Sequence, residues 1–288
     1  MTATVKPTNE ERASGQLSAD HLSAATKALR EDGIVVLEDV VDPKHLDALR
    51  ERMADDLKKI LARPDAPYQF GKSNVQQDPP PFPPYLFRDV VANDLVIQVT
   101  KSILGAGLKN VFYSGNTALP SELRQPVHAD TGQLWPDLPV ATPAYQLVVN
   151  VPLVDMDERN GSTEIWPGTH LDTTVAIQDG DIKVPEEKIS ARRAAAPPVQ
   201  PAVRKGSVVI RDIRLWHAGM PNRTQEARPM LAMIHSVSWW PESRIDFAKG
   251  SEAFLEHPDL RTCARFVDGP IDYLMHHGAY DVKGEEDE

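Results

Sequence analysis

The sequence predicts a mainly β protein with flanking helices, and three observations carry that expectation. From about residue 109 onward, runs rich in β-branched and aromatic residues are separated by Pro and Gly turns: VFYSGNTAL, YQLVVNVPLV, STEIW, KGSVVIRD and MLAMIHSVSWW. These runs are short, and no helical crossovers lie between them. That favours an antiparallel sandwich or barrel over a parallel α/β sheet. Ahead of residue 109, apolar residues instead recur at helical spacing.

Residues 1–17 are polar and aperiodic and are expected as a flexible tail. ADHLSAATKALRED (19–32) predicts a short helix closed by Gly33, and IVVLEDV (34–40) a strand. Asp42 and Pro43 then suit the N-cap and first position of a helix whose buried face is Leu46, Leu49, Met53, Leu57 and Ile60. In RPDAPYQFGKSNVQQDPPPFPPYL (64–87) the prolines forbid both helix and central strand, so this stretch is expected as a surface loop or a lid over a site. Residues 89–104 predict a second long helix ended by Gly105. Segment 171–203 reads as a long insertion on the rim, the other candidate active-site loop. Residues 250–288 offer short helical pieces and an acidic end, GEEDE. With no repeat and no clear linker, residues 1–288 are expected as a single domain.

Composition narrows the function. The net charge of −11 argues against broad binding to nucleic acid or to anionic membranes, both of which need clustered Lys and Arg. No window approaches the length of a membrane span. Cys263 is the single cysteine, so neither an intramolecular disulfide nor a thiolate zinc site is available. The stretch MTATVKPTNEERASGQ lacks the apolar core of a signal peptide, and a cytoplasmic location is the expectation. Asn222-Arg223-Thr224 matches a glycosylation sequon but carries no weight without secretion. The expected partner is a small-molecule substrate, with a homodimer left open.

The chemistry centres on QPVHADTGQLWP (125–136). In an extended segment, His128 and Asp130 project to one face. A third ligand would complete a metal site, and His217, at the end of the strand KGSVVIRD and before the turn AGMPN, is the best candidate. Two imidazoles and one carboxylate are the ligand set of the mononuclear iron facial triad, which leaves positions open for a cosubstrate and oxygen. Catalytic zinc remains an alternative on ligands alone, although no HExxH helix is present. A dicarboxylate keto acid would need a cation at the far end of its pocket. Arg228, eleven positions after His217 and at the start of a strand, suits that role better than Arg223, which lies in the turn.

The order His128-x-Asp130, His217, Arg228 resembles the phytanoyl-CoA dioxygenase family of iron(II)- and 2-oxoglutarate-dependent oxygenases. GIVVLEDVVDPKHLDALRERM (33–53) is similar to the family's N-terminal strand and helix. DERNGSTEIWPGTH (157–170) is similar to its Asn-Gly…Pro-Gly-Ser/Thr-His stretch, and RLWHAGMPNRT (214–224) to its distal-His motif. The resemblance spans roughly residues 20–240. It implies a double-stranded β-helix, a cupin-like jelly roll, with iron(II) held by His128, Asp130 and His217. It implies Arg228 as the anchor of the distal carboxylate of 2-oxoglutarate, and dioxygen as co-reactant. Thr163, and more weakly Asn116 and Gln125, are further candidates for contact with the cosubstrate. Many members carry a small hydroxyl residue two positions after the distal His, where this chain has Gly219. Halogenases on this scaffold replace the carboxylate by Gly or Ala, so Asp130 implies hydroxylation or a related oxidation of an unactivated C–H bond, with release of succinate and carbon dioxide.

Two rival readings stay open: a cupin-like metalloenzyme that uses no 2-oxoglutarate, and a non-catalytic jelly-roll binding protein. Of the remaining residues, His170 and His235 are expected to be structural, His276-His277 a solvated pair, and Cys263 a small buried hydrophobe. Tyr113 and Tyr145 are candidates for the pocket by alternation, and Trp135 stands out because it follows the His-x-Asp turn.

Overall fold

A computed structural model gives the structure and describes residues 2–175, 177 and 182–279. In chain order the N-terminal half comprises β1 (Thr4–Val5), α1 (Asn9–Ser14), α2 (Ala19–Glu31), β2 (Ile34–Leu37), α3 (Pro43–Leu61), β3 (Asn74–Gln76), α4 (Arg88–Val91), α5 (Asp94–Leu104) and β4 (Leu108–Ala118). Then follow β5 (Gln146–Pro152), β6 (Glu164–Ile165), α6 (Glu186–Ala195), β7 (Val208–Asp212), β8 (His217–Ala218), β9 (Arg228–Ser236), β10 (Ile245–Ala248), α7 (Glu252–Leu255), β11 (Leu260–Thr262) and β12 (Ala264–Val267). No helix among the described residues is long and apolar enough to cross a membrane.

The major sheet has eight strands, ordered β1-β2-β7-β5-β9-β4-β11, with β3 also paired to β4. The minor sheet is built on the pair β6-β8 and is extended by the bridges His128–His217, His128–Lys183 and Ile165–Val199. Between β4 and β9 the chain therefore alternates between the two sheets: β4, the His128 segment, β5, β6, β7, β8, β9. This alternation is the double-stranded β-helix, or jelly roll.

Strand parity decides what enters the barrel. On β7, Val208 and Ile210 join the large apolar core beneath the helices, while Val209 and Arg211 face the cavity between the sheets. On β9, Arg228, Met230, Ala232 and Ile234 line that cavity, and Leu231 and Met233 pack outward. Helices α2, α3 and α5 cover the outer face of the major sheet through Leu29, Leu46, Leu49, Met53, Ile97 and Val99. Ile189 of α6 packs with Trp166 and Trp216 on the outside of the minor sheet.

Several expectations are corrected. The N-terminal stretch is not an irregular tail: β1 pairs with β2, and Thr8 and Glu11 form a capping box on α1. The helix expected over 89–104 is broken in two, because the Asn93 side chain accepts from the amides of Leu95 and Val96 and so starts a new helix. Segment 64–87 contains β3, whose three residues fall between Pro67 and Pro79, and segment 171–203 contains α6. Over 250–279 the chain carries β11 and β12 as well as short helices, and the acidic end GEEDE lies outside the described residues.

His235 of β9 is structural, as expected. It is 2% exposed, its Nδ1 lies 2.9 Å from Thr100 Oγ1 on α5, and its Nε2 is buried without a partner. Burial, with a smaller contribution from His257, pushes it down from 6.5 to about 3. The folded chain therefore holds His235 neutral, and the unfolded chain binds the extra proton. This contribution to stability is fully present above the ordinary value and is lost as pH falls through it, by up to about 1.4 kcal/mol per pH unit. Thermal unfolding followed from about pH 7 to pH 5 should show a steeper loss in wild type than in His235→Gln. Equal slopes would mean that the buried imidazole does not drive the acid sensitivity.

Candidate metal centre

His128 and His217 stand directly opposite one another across an antiparallel bridge and exchange both backbone hydrogen bonds, at 3.0 and 2.8 Å. Their rings consequently fall side by side, with centroids 4.3 Å apart. Each Nδ1 donates to the backbone carbonyl two residues back, Pro126 for His128 and Leu215 for His217, both at 2.9 Å. That contact fixes the tautomer and leaves each Nε2 lone pair facing the cavity. Asp130, two residues on, brings its Oδ1 to 3.9 Å from His128 Nε2 and 3.5 Å from His217 Nε2. The three donor atoms lie within 4.8 Å of one another without bonding to each other.

The electrostatics suit a cation. Burial, then the positive charge of Arg211 and the neighbouring imidazole, pushes His217 well below its ordinary range. Burial also lowers His128, against the pull of Asp130. Both imidazoles are thus neutral ligands near pH 7. Desolvation raises the Asp130 carboxyl, but Arg211 and the two imidazoles overcome it and hold the group well below the usual carboxylate range. Two lone pairs and one carboxylate oxygen around a common point fit a divalent metal with oxygen and nitrogen preference.

Arg211 is a residue of the site that sequence reasoning missed. Its Nη2 donates to Asp130 Oδ2 at 2.7 Å, so one carboxylate oxygen is held while the other faces the imidazoles. Its Nη1 is buried without a partner. The signal was an Arg at the inward parity of an otherwise apolar strand, but its partner lies 81 positions away. A second arginine, Arg214, braces the turn into His217: it pairs with Asp212 at 2.8 Å and reaches Gln133 Oε1 and the Thr142 carbonyl.

Arg228 is 4% exposed and points into the same cavity, of about 360 Å³. It donates to the carbonyls of Asn160 and Gly161 and to Met156 Sδ, all neutral acceptors, and no carboxylate among the described residues pairs with it. Burial lowers it to about 10, so it remains charged near pH 7. Gly161 adopts φ +74, and a Cβ there would run into the Met220 carbonyl, so the Asn-Gly turn that holds Arg228 requires glycine. Arg223, by contrast, pairs with Glu122 on the surface. Thr163, Asn116 and Gln125 all line the cavity. The Gln125 side chain accepts from the Gly219 amide at 2.8 Å and occupies the space that a side chain at 219 would need.

Both long loops contribute to the wall, 64–87 through Gln69, Phe70, Asn74 and Gln76, and 171–203 through Ile182, Pro201 and Val203. Phe70 packs against the His128 ring at 4.7 Å. Tyr113 and Tyr145 do not line this cavity. Tyr113 packs against Phe247, and Tyr145 stacks on Trp240 and donates to the Gly132 carbonyl. Trp135 is exposed, His170 is buried in its loop against the Arg30 carbonyl, and Cys263 is buried. His276 and His277 are not a free solvated pair, because both close on Asp78.

Comparison with known proteins agrees with this geometry. Residues 29–230 match the model of the family described as phytanoyl-CoA dioxygenase (PhyH). A curated relative, Dioxygenase af480 of Aspergillus fumigatus, is 29% identical over 160 residues, which are 52% of this chain and 45% of that protein. The chain thus spans about half the length of that relative. Among solved structures, AviO1 from Streptomyces viridochromogenes Tue57 superposes with a TM-score of 0.56 at 22% identity, over 77% of this chain and 97% of that one. The non-heme alpha ketoglutarate dependent epimerase SnoN from nogalamycin biosynthesis does so at 0.54 and 17%, over 76% and 84%. These likenesses show a shared jelly-roll fold. With the family match covering most of the chain and spanning the His128–Asp130–His217 cluster, the chain belongs to the phytanoyl-CoA dioxygenase family.

Proposed function

We propose that this protein is a dioxygenase that uses iron(II) and 2-oxoglutarate to hydroxylate, or otherwise oxidise, an unactivated C–H bond of a small molecule. The observation that carries the reading is Arg228: a buried cation with only neutral acceptors, opening into the cavity that holds the triad. An unpaired buried charge is costly, and the carboxylate of a dicarboxylate cosubstrate would offset that cost. His128, Asp130 and His217 would hold the iron. The bound metal with its keto acid supplies oxidation by dioxygen, coupled to decarboxylation of 2-oxoglutarate to succinate and carbon dioxide.

The chain's own residues orient and exclude. Arg211 keeps Asp130 to one oxygen toward the metal. Phe70 shields the His128 ring. Gln69, Asn74, Gln76 and Asn116 form a panel of uncharged amides, linked for instance from Gln69 Nε2 to Gln76 Oε1 at 2.6 Å. Among the described residues, the only basic side chains besides the two histidines on this cavity are Arg211 and Arg228. Neither is spare for the phosphates of a coenzyme A thioester. The substrate we infer is therefore a compact, largely uncharged molecule. Closure of the site would fall to segments 64–87 and 171–203.

Two outcomes are expected. Anaerobic protein with iron(II) should develop a metal-to-ligand charge-transfer band on addition of 2-oxoglutarate. The band should be absent in His217→Ala, and in Arg228→Met it should need at least about tenfold more keto acid, the loss of one charge-assisted contact. Iron binding without a band would defeat the 2-oxoglutarate reading. Separately, Arg211→Met should weaken cobalt(II) or iron(II) binding by about ten- to a hundredfold while the circular dichroism spectrum is retained, with partial recovery in Arg211→Lys. Unchanged metal affinity in the folded Arg211→Met protein would remove Arg211 from the positioning of Asp130.

A further inference from the structure

A second group of side chains converges on Asp78, outside the triad. Asp78 follows β3 and is 6% exposed. The single helical turn Tyr273–Met275 delivers His276 and His277 to it. His276 Nδ1 lies 2.6 Å from one carboxylate oxygen, and His277 Nε2 lies 2.8 Å from the other. Adjacent residues rarely aim at one point. Here they do because the first ring presents its near nitrogen and the second its far one, with centroids 4.5 Å apart. Asp78 is the carboxylate that both rings reach, and Asp246 lines the same cavity, so two imidazoles gather beside concentrated negative charge. One divalent cation satisfies a carboxylate and two neutral imidazoles together.

The surroundings add an independent observation. Asp78, His276 and His277 line a cavity of about 590 Å³ together with Tyr113, Ser114 and Asp246. The Tyr113 hydroxyl is buried there with no hydrogen-bond partner. Asp78 lines the same cavity, and burial first and then its charge hold this phenol above its ordinary range. Ser114 Oγ lies 3.4 Å from His277 Nε2.

We propose that Asp78, His276 and His277 form a second divalent-metal site, suited to zinc(II), with room for solvent or a further oxygen ligand. Donors bound tetrahedrally at about 2.1 Å stand about 3.4 Å apart, so an entering ion widens the 2.6 and 2.8 Å contacts by about 0.6–0.8 Å and replaces the two hydrogen bonds. The ion pins the C-terminal segment to the wall between the two cavities. Gln76, which lines the triad cavity, has its amide 3.4 Å from His277 Nε2, and Phe112 lines both spaces.

The test needs neither keto acid nor turnover, so it is independent of the reaction proposed above. Untagged full-length protein carrying His128→Ala and His217→Ala, which removes the triad, is titrated with zinc(II) by calorimetry, and thermal unfolding is recorded with and without the ion. It is compared with the same protein carrying His276→Ala and His277→Ala in addition. The expected result is one tight equivalent of zinc and a raised unfolding temperature in the first, both lost in the second. His276 lies at the surface, but Asp78 is buried and loses both donors in the alanine pair, so His276→Gln with His277→Gln, which keeps amide donors for the carboxylate, is run alongside and should lose the zinc equivalent as well. Identical isotherms, whether both empty or both filled through pairs such as His21–Glu11 and His45–Asp89, would overturn the site.

Discussion

The antiparallel bridge between His128 and His217 is the constraint on which the site depends. Because these residues exchange both backbone hydrogen bonds, their side chains leave the minor sheet on one face at one level. The carbonyls of Pro126 and Leu215 then set both tautomers. No flexible side chain takes part in this alignment. Asp130 joins by strand parity and is steadied from the facing sheet by Arg211, so the two layers of the jelly roll meet at one carboxylate.

The barrel interior shows how polar groups are admitted to an apolar space. Val209, Met156, Val203 and Met230 make the apolar wall, and into it the strands project arginines from two inward positions. Arg211 is matched by Asp130, and Arg228 rests on two peptide carbonyls and the Met156 sulfur. The outward positions of the same strands feed the core under α2, α3 and α5. Moving β7 or β9 by one residue would exchange the two faces, putting Arg211 or Arg228 into the apolar core. The register is therefore set jointly by core and site.

Where sequence reading fell short, the missing information was of long range. The break at Asn93 was available locally, since an Asn followed by Asp-Leu-Val is a capping signal, but the continuous apolar pattern outweighed it. In residues 1–17 the capping box of Thr8 and Glu11 was a local signal too, but the strand and the burial of Glu11 were not. β1 exists because it finds the edge of β2, and Glu11 is buried because it meets Ser18 and His21. The pairing of His276 and His277 with Asp78 spans about two hundred positions, so composition alone suggested solvent.

The sequence by itself determined the β class, helices α2 and α3, the His-x-Asp pair, and the placing of Arg228 at the start of a strand and Arg223 in a turn. Each rests on periodicity, capping or spacing within one stretch of chain. Only the tertiary structure decided that Arg211 serves Asp130, that Gln125 fills the space beside Gly219, that Tyr113 and Tyr145 stay out of the cavity, and that a second histidine cluster exists. The reason is physical. A strand fixes which residues share a face, but which face turns inward, and what waits across the barrel, depends on closing two sheets whose strands are far apart in sequence.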